Sequence, residues 1–416
     1  MSIKRRSFLR SAGALAATAV AGPAFAQTVI DDILRAPRRG SWNDQFDAAV
    51  SQGGRVASHL PVFSPETVSF IEQAIGQYRD IVAQGGWQPV PANKKLKLGV
   101  IDPDVEPLRR RLMVSGDLST QAGLSQSFDT YVDAALKRFQ TRHGLPADGV
   151  TGRYTFAAMN VSAPVRLGQL ETNLVRLRTM SGFLGDRYVM VNIPAAAIEA
   201  VENGQVVLRH TAIVGKIDRQ TPILNSKINE VIINPYWNAP ESIVRKDIIP
   251  LMRKNPNYLT ENNIRILGPN GEVDPLTIDW STEEAAKLRF RQDPGKINAM
   301  ASVKINFPNS HAVYMHDTPQ QSLFNNLMRF DSSGCVRVQN VRDLVTWLLR
   351  DTDGWGRQRF EQTIKSGEST PVALANPVPV YFTYISAWST GDGVVQFRDD
   401  IYGRDGVDEL QITSSL

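Results

Sequence analysis

In 416 residues there is one cysteine, Cys335, and that scarcity excludes a disulfide-stapled scaffold, because a single thiol has no intramolecular partner. The five histidines are scattered, with no short-spaced ligand pair, so the zinc-site pattern is missing and no metal is expected. No apolar run reaches the roughly 20 residues that cross a bilayer, and no stable membrane span is expected. Neither a P-loop nor a strand-associated Gly-x-Gly-x-x-Gly occurs, and no cofactor is called for. A basic surplus is missing as well. Four of the 46 Lys and Arg fall within residues 1–26, which hold no acid, and the remainder carries 42 basic against 42 acidic residues. A protein that neutralises phosphates needs such a surplus, so no nucleic acid is expected as a partner.

What is present is an ordinary globular composition, 42% hydrophobic and 21% charged, in a chain long enough for two or three domains. Residues 1–26 read as an export signal. Lys4-Arg5-Arg6-Ser7-Phe8-Leu9-Arg10 precede a mild apolar run, and Ala24-Phe25-Ala26 before Gln27 forms a small-residue cleavage site. The paired arginines resemble the twin-arginine type. The expectation is a periplasmic protein beginning at Gln27.

Residues 27–93 read as a helical scaffold, with Ser64 as a start signal before Val68–Val82 and Gly85-Gly86 as a stop. Residues 94–163 form a compact module of short helices. Val105, Leu108 and Leu112 share one helical face, Val132, Ala135, Leu136 and Phe139 another, and a third helix runs from Thr151 toward Met159. Phe139-Gln140, His143-Gly144-Leu145, Asp148-Gly149-Val150, Gly152 and Thr155 resemble the peptidoglycan-binding-like three-helix domain. Those residues are equally core and turn positions, and a fold does not carry a site with it. Residues 164–186 are a linking helix with Leu167, Leu170, Leu174 and Leu177 on one side.

From Tyr188 the period changes to short β-rich runs, Tyr188–Ile193, Gln205–Leu208, His210–Val214 and Glu230–Asn234, broken by Asn203-Gly204 and Gly215. Residues 187–365 are taken as the β-rich domain. Within it, 240–309 is an insertion too long for an ordinary loop, expected to be a helical lid with segments at Ile243–Met252 and Thr282–Phe290. Residues 366–416 read as C-terminal strands and a tail, with a turn at Gly391-Asp392-Gly393.

The chemistry points to His316–Arg337. Cys335 follows Ser332-Ser333-Gly334, a polar turn in which a glycine admits close backbone approach, rather than the apolar run that encloses an inert cysteine. A thiol needs a base. His311-Ala-Val-Tyr-Met-His316 reads as a core strand, on which residues five apart face opposite sides, so only one of the two histidines can point at the thiol. His316, before the Asp317-Thr318-Pro319 break, is the choice, and His311 is assigned to packing.

His316-Asp317-Thr318-Pro319, Ser322-Leu323-Phe324 and Ser332-Ser333-Gly334-Cys335-Val336-Arg337, in that order, resemble the signature of the L,D-transpeptidases. Many members have His and Asn where this chain has Ser333 and Arg337. The variant resembles the long periplasmic Gram-negative branch, as does Asn234–Ile243. The resemblance implies a multi-domain α+β protein with a β-sandwich catalytic domain and an insertion that caps the site. It further implies that Cys335 accepts the acyl group of a peptidoglycan stem tetrapeptide, with loss of terminal D-alanine. A second stem's amine then takes that group to form a 3-3 cross-link, and carbapenem β-lactams acylate the same thiol.

From the residues alone, Gly334 and Cys335 offer N–H groups to an oxyanion. Ser333 lies beside them, and Arg337 can hold a carboxylate or a structural ion pair. Tyr236 and Trp237 can line a cleft or fill a core. Spacing does not separate transfer to an amine from hydrolysis by an L,D-carboxypeptidase or cysteine peptidase, nor from attachment of a protein to the wall. A non-catalytic wall-binding protein is a third class, one that tolerates loss of Cys335.

Overall fold

The computed structural model describes residues 58–180, 182, 184–391 and 393–406. Residues 1–57, which include the stretch read as an export signal, Ser181, Phe183, Asp392 and the tail from 407 lie outside them.

Helix α1 (Pro65–Ala83) starts where expected. Ser64 Oγ accepts from Thr67 N, and Pro65 occupies the first turn, where its missing N–H leaves no intrahelical bond unmade. Helices α2 (Val105–Val114), α3 (Thr130–Arg142) and α4 (Arg153–Asn160) enclose a core of Leu108, Leu112, Val132, Leu136, Phe139 and Met159, all buried. The expected stripes are the buried ones. α5 (Ala163–Met180) returns against α1, and Ile71, Ile75 and Tyr78 meet Leu170 and Leu177 there. This helix pair packs on strands of the β-rich domain through Tyr188, Met190 and Ile385.

The β-rich domain is built from β1 (Arg187–Asn192), β2 (Ala197–Glu202), β3 (Gln205–Gly215) and β4 (Leu224–Ile233). After the insertion come β9 (Val303–Asn306), β10 (Met315–His316), β11 (Phe330–Ser332), β12 (Val336–Val338) and β13 (Thr370–Thr383). Their order is β11-β3-β12-β10-β9-β4-β13-β1-β2, and β2 also pairs with β3. The pairing therefore closes on itself. Where the sequence suggested a sandwich, the strands form one flattened ring around a core that includes Val191, Ile213's neighbours Ala212 and Val214, Met315 and Val336. Closure leaves fewer unpaired edges than two separate sheets would. Helix α6 (Val341–Leu349) buries Leu344, Val345 and Leu348 into the same core, and α7 (Arg357–Ser366) adds Phe360.

Three expectations are corrected here. The division at 365 cuts through the domain, because β13 is a central strand, antiparallel to β4 and parallel to β1. Of the described strands after 365, the hairpin β14 (Ala387–Ser389) and β15 (Val395–Phe397) lies outside the ring. The insertion is not simply helical. It has a four-stranded sheet ordered β5-β8-β6-β7, from Trp237–Ala239, Arg289–Gln292, Ile264–Gly268 and Gly271–Val273, with its own core of Val244, Ile248, Ile266 and Phe290. The stretch 282–290 is a short 3-10 turn (Glu284–Lys287) followed by β8. The helical run near its start contains a π turn, Val244–Ile248, a widened geometry found mostly at functional sites. Finally, His311–Tyr314 is not strand. Ala312 has φ +53°, and pairing begins only at Met315.

Candidate functional site

The site is set by register. Met315 pairs with Val336 and with Ile305, and all three are fully buried in the ring's core. Side chains alternate along a strand, so the residues flanking them face outward: Tyr314 just before β10 and His316 on it, Cys335 just before β12 and Arg337 on it, and Lys304 on β9. His316 sits opposite both Lys304 and Arg337. Thiol and imidazole therefore share one face, a diagonal step apart on adjacent chain segments. The choice of His316 over His311 stands on this register. The original ground, alternation along a six-residue strand, does not, because His311 lies in an exposed turn. It is not a packing residue either.

Burial governs the charge states. Cys335 is a free thiol, and burial pushes its pKa up. Hydrogen bonds from the Tyr314 N–H and hydroxyl, then the Lys304 and Arg337 charges, act in the opposite direction. Cys335 is half-buried, and the desolvation of its sulfur keeps the resting group a thiol. His316 is 7% exposed, and its pKa falls to about 3, first from burial, then from the Arg337 charge. Its Nδ1 lies 2.5 Å from the Asp317 carbonyl oxygen. A carbonyl only accepts, so the neutral ring carries its proton on Nδ1 and leaves the Nε2 lone pair as a base. Asp317 itself is held by Ser302, whose Oγ donates to Oδ2 at 2.6 Å.

Tyr314 and Lys304 were not singled out from the sequence, although Tyr314 stands two residues before His316, the spacing of a shared strand face. The Lys304 ammonium lies 4.4 Å from the Tyr314 ring centroid, and the Tyr314 and His316 rings meet edge-on at 5.6 Å. Trp237 donates to the Tyr314 hydroxyl and so joins the site through it. Tyr236 does not join: it is 43% exposed and packs under Arg291. Arg337 donates to Gln320 Oε1 at 2.8 Å.

Gly334 has φ +110°, a conformation glycine alone adopts without strain. Its N–H donates to Ser332 Oγ at 3.1 Å, so that N–H is engaged and is not an oxyanion donor in this conformation. The Gly334 carbonyl accepts from Thr221 Oγ1 at 2.9 Å, while Thr221 Oγ1 accepts from Gly215 N at 2.8 Å. Tyr402 donates to the Gly215 carbonyl at 2.5 Å. The loop between β3 and β4 therefore buttresses the cysteine turn. Arg219 from the same loop grips Asp247 of the insertion through both terminal nitrogens, at 2.6 and 3.0 Å, and donates to Ser333 Oγ at 2.9 Å.

A thiol with a same-face neutral imidazole, donors on the sulfur and two nearby cations is equipped for acyl transfer. Among the described residues no group of three or more His, Cys, Asp and Glu could hold a metal ion. No described helix is long and apolar enough to cross a membrane.

Residues 186–374 match the family model "YkuD: L,D-transpeptidase catalytic domain", and residues 102–159 match "Putative peptidoglycan binding domain". The β-rich part of the chain is thus similar to the L,D-transpeptidase catalytic domain. In particular, the chain is 38% identical over 239 residues to a "Putative L,D-transpeptidase" of Haemophilus influenzae, across 57% of this chain and 48% of that protein. It thus spans about half the length of that relative. Solved structures that match include an L,D-transpeptidase from Stackebrandtia nassauensis (13% identity, 71% of this chain and 97% of that one, TM-score 0.25). Another is from Xylanimonas cellulosilytica (16% identity, 70% and 99%, TM-score 0.23).

Proposed function

We propose that the protein is a peptidoglycan L,D-transpeptidase of the periplasm that forms 3-3 cross-links through an acyl-enzyme on Cys335. The observation that carries this reading is the placement of Cys335 and His316 on one outward face, with Nε2 as the free base. The donor is a stem tetrapeptide. As Sγ attacks the carbonyl of its third residue, the thiol proton passes to His316 Nε2. The Tyr314 N–H and hydroxyl, which face the sulfur, lie where the oxyanion develops, with the Lys304 charge behind them. Collapse breaks the amide bond. The proton on Nε2 goes to the leaving amine, and D-alanine departs. A second stem's side-chain amine then attacks the thioester, loses its proton to His316, and regenerates the thiol.

Because burial keeps both partners uncharged at rest, the thiolate forms only as the carbonyl is attacked. Residues 240–309 act as a lid over this face, and the module at 102–159 keeps the enzyme on the wall. Carbapenems present a strained amide to the same thiol. The test is incubation of the purified protein with disaccharide-tetrapeptide, followed by mass spectrometry. Released D-alanine together with cross-linked dimer supports transfer. D-alanine with tripeptide alone indicates hydrolysis, and an unchanged substrate refutes the reading.

A further inference from the structure

Beside the cysteine turn lies a cleft of about 250 Å³ that the acyl-transfer chemistry does not use. Its walls come from four separate segments: Arg219 and Gln220 from the β3–β4 loop, Ser242 and Lys246 from the insertion, His311 from the turn before β10, and Ser333 from the cysteine turn. Two of these side chains carry permanent positive charge, and the others offer hydrogen bonds. Arg219 grips Asp247 through both terminal nitrogens. Asp218 stands behind the Arg219 Nε at 3.7 Å and is itself 67% exposed. The Lys246 charge has no ion-pair partner among the described residues, so it is the cation of this cleft that is not neutralised by direct pairing. The π turn Val244–Ile248 carries Lys246, and the Arg219–Asp247 pair fixes that turn against the Cys335 loop.

We propose that this cleft is a carboxylate-binding subsite for a peptidoglycan stem, with Lys246 as its charged ligand and His311 and the Ser242 and Ser333 hydroxyls as hydrogen-bonding partners. Rigid Arg219 supplies a second, partly neutralised positive wall. The assignment rests on the proposed function, since the anions of stem peptides are carboxylates, flanking both the bond that breaks and the amine that accepts. Gly334, the residue before Cys335, lines the same cleft as Lys246, so a cation there selects for a free carboxylate near the thiol. The insertion supplies Lys246 and the main domain supplies His311, so a bound carboxylate also ties the two together.

The experiment is a substrate–enzyme cycle. Matched stem peptides are prepared with the side-chain carboxylate of the third residue free or amidated, in the donor in one series and in the acceptor in the other. They are assayed with the unaltered protein, Lys246→Met and Lys246→Met/His311→Ala. Lys246 and His311 are both exposed, and a melting curve checks that the variants fold. In one of the two series, Lys246→Met is expected to lower kcat/KM about threefold, mainly through KM, and the double variant about tenfold. Amidation of that strand should cost the unaltered protein the same factor and cost the variants nothing further. The series in which this happens identifies the strand that occupies the cleft. Equal losses on free and amidated stems, or no loss at all, overturn the subsite while leaving the transpeptidase reading intact. No turnover of any stem by the unaltered protein overturns both.

Discussion

His316→Gln should make the protein less sensitive to acid while abolishing its acyl transfer. The imidazole is 7% exposed and titrates near pH 3 when folded, against an ordinary value of 6.5. A group depressed in this way is neutral in the native state and binds its proton only on unfolding. Where the unfolded chain binds more protons, stability rises with pH. The window runs from about 6.5, the unfolded value, down to about 3, the folded one. Above it the term vanishes, and within it stability falls by about 1.4 kcal/mol per pH unit. At pH 4.5, two units below the unfolded value, buried neutral His316 destabilises the fold by about 2.7 kcal/mol relative to pH 7.5.

Glutamine keeps the polar contacts and does not titrate. The assay is urea unfolding of both proteins at intervals from pH 7.5 to 4.5. The difference in stability between them should change by about 2–3 kcal/mol across the range, in favour of the variant at the acid end. His143, also buried and held neutral mainly by its desolvation, titrates in both proteins and cancels. Parallel pH curves would refute the buried-neutral state of His316. The same state predicts that kcat/KM of the unaltered enzyme has no acid limb near pH 6.5, because the base is already deprotonated there.

Three further outcomes follow from the site. Tyr314→Phe removes the hydroxyl that bonds the sulfur, a charge-assisted bond once the thiolate forms; alkylation of Cys335 by iodoacetamide at pH 7 should slow about tenfold without loss of folding, and an unchanged rate would remove Tyr314 from the mechanism. Gly215→Ala places a methyl group against the backbone of Arg219, Gln220 and Thr221; displacing the loop that buttresses Gly334 should cost about 2–3 kcal/mol, read as a lowered melting temperature, and should slow acylation. A carbapenem should add its intact mass to Cys335 in the unaltered protein and not in Cys335→Ala, with slower addition in His316→Gln; an adduct on Ser333 would rule out the cysteine mechanism.

Much was determined by the sequence by itself. Local patterns carry their own physics. The apolar spacing in Val105–Leu112 and Val132–Phe139 can be satisfied only by helices that bury those faces. Ser64 before Pro65 is a cap wherever it is placed, and the order His316, Ser322-Leu-Phe, Ser332–Arg337 marked the chemistry. Other features depended on partners distant in the chain. β2, Ala-Ile-Glu-Ala-Val-Glu, has residues that favour helix, and it is a strand because β1 and β3 pair with it on both sides. β13 looked like an appendage and is central, because its partners lie about 150 and 190 residues earlier. Tyr314 and Lys304 became site residues only when β9, β10 and β12 aligned. The state of the thiol was decided at the same level. Ser-Ser-Gly around Cys335 reads as a solvated turn, and Ser333 is exposed, but desolvation of the sulfur is set by residues that pack against it from elsewhere in the chain.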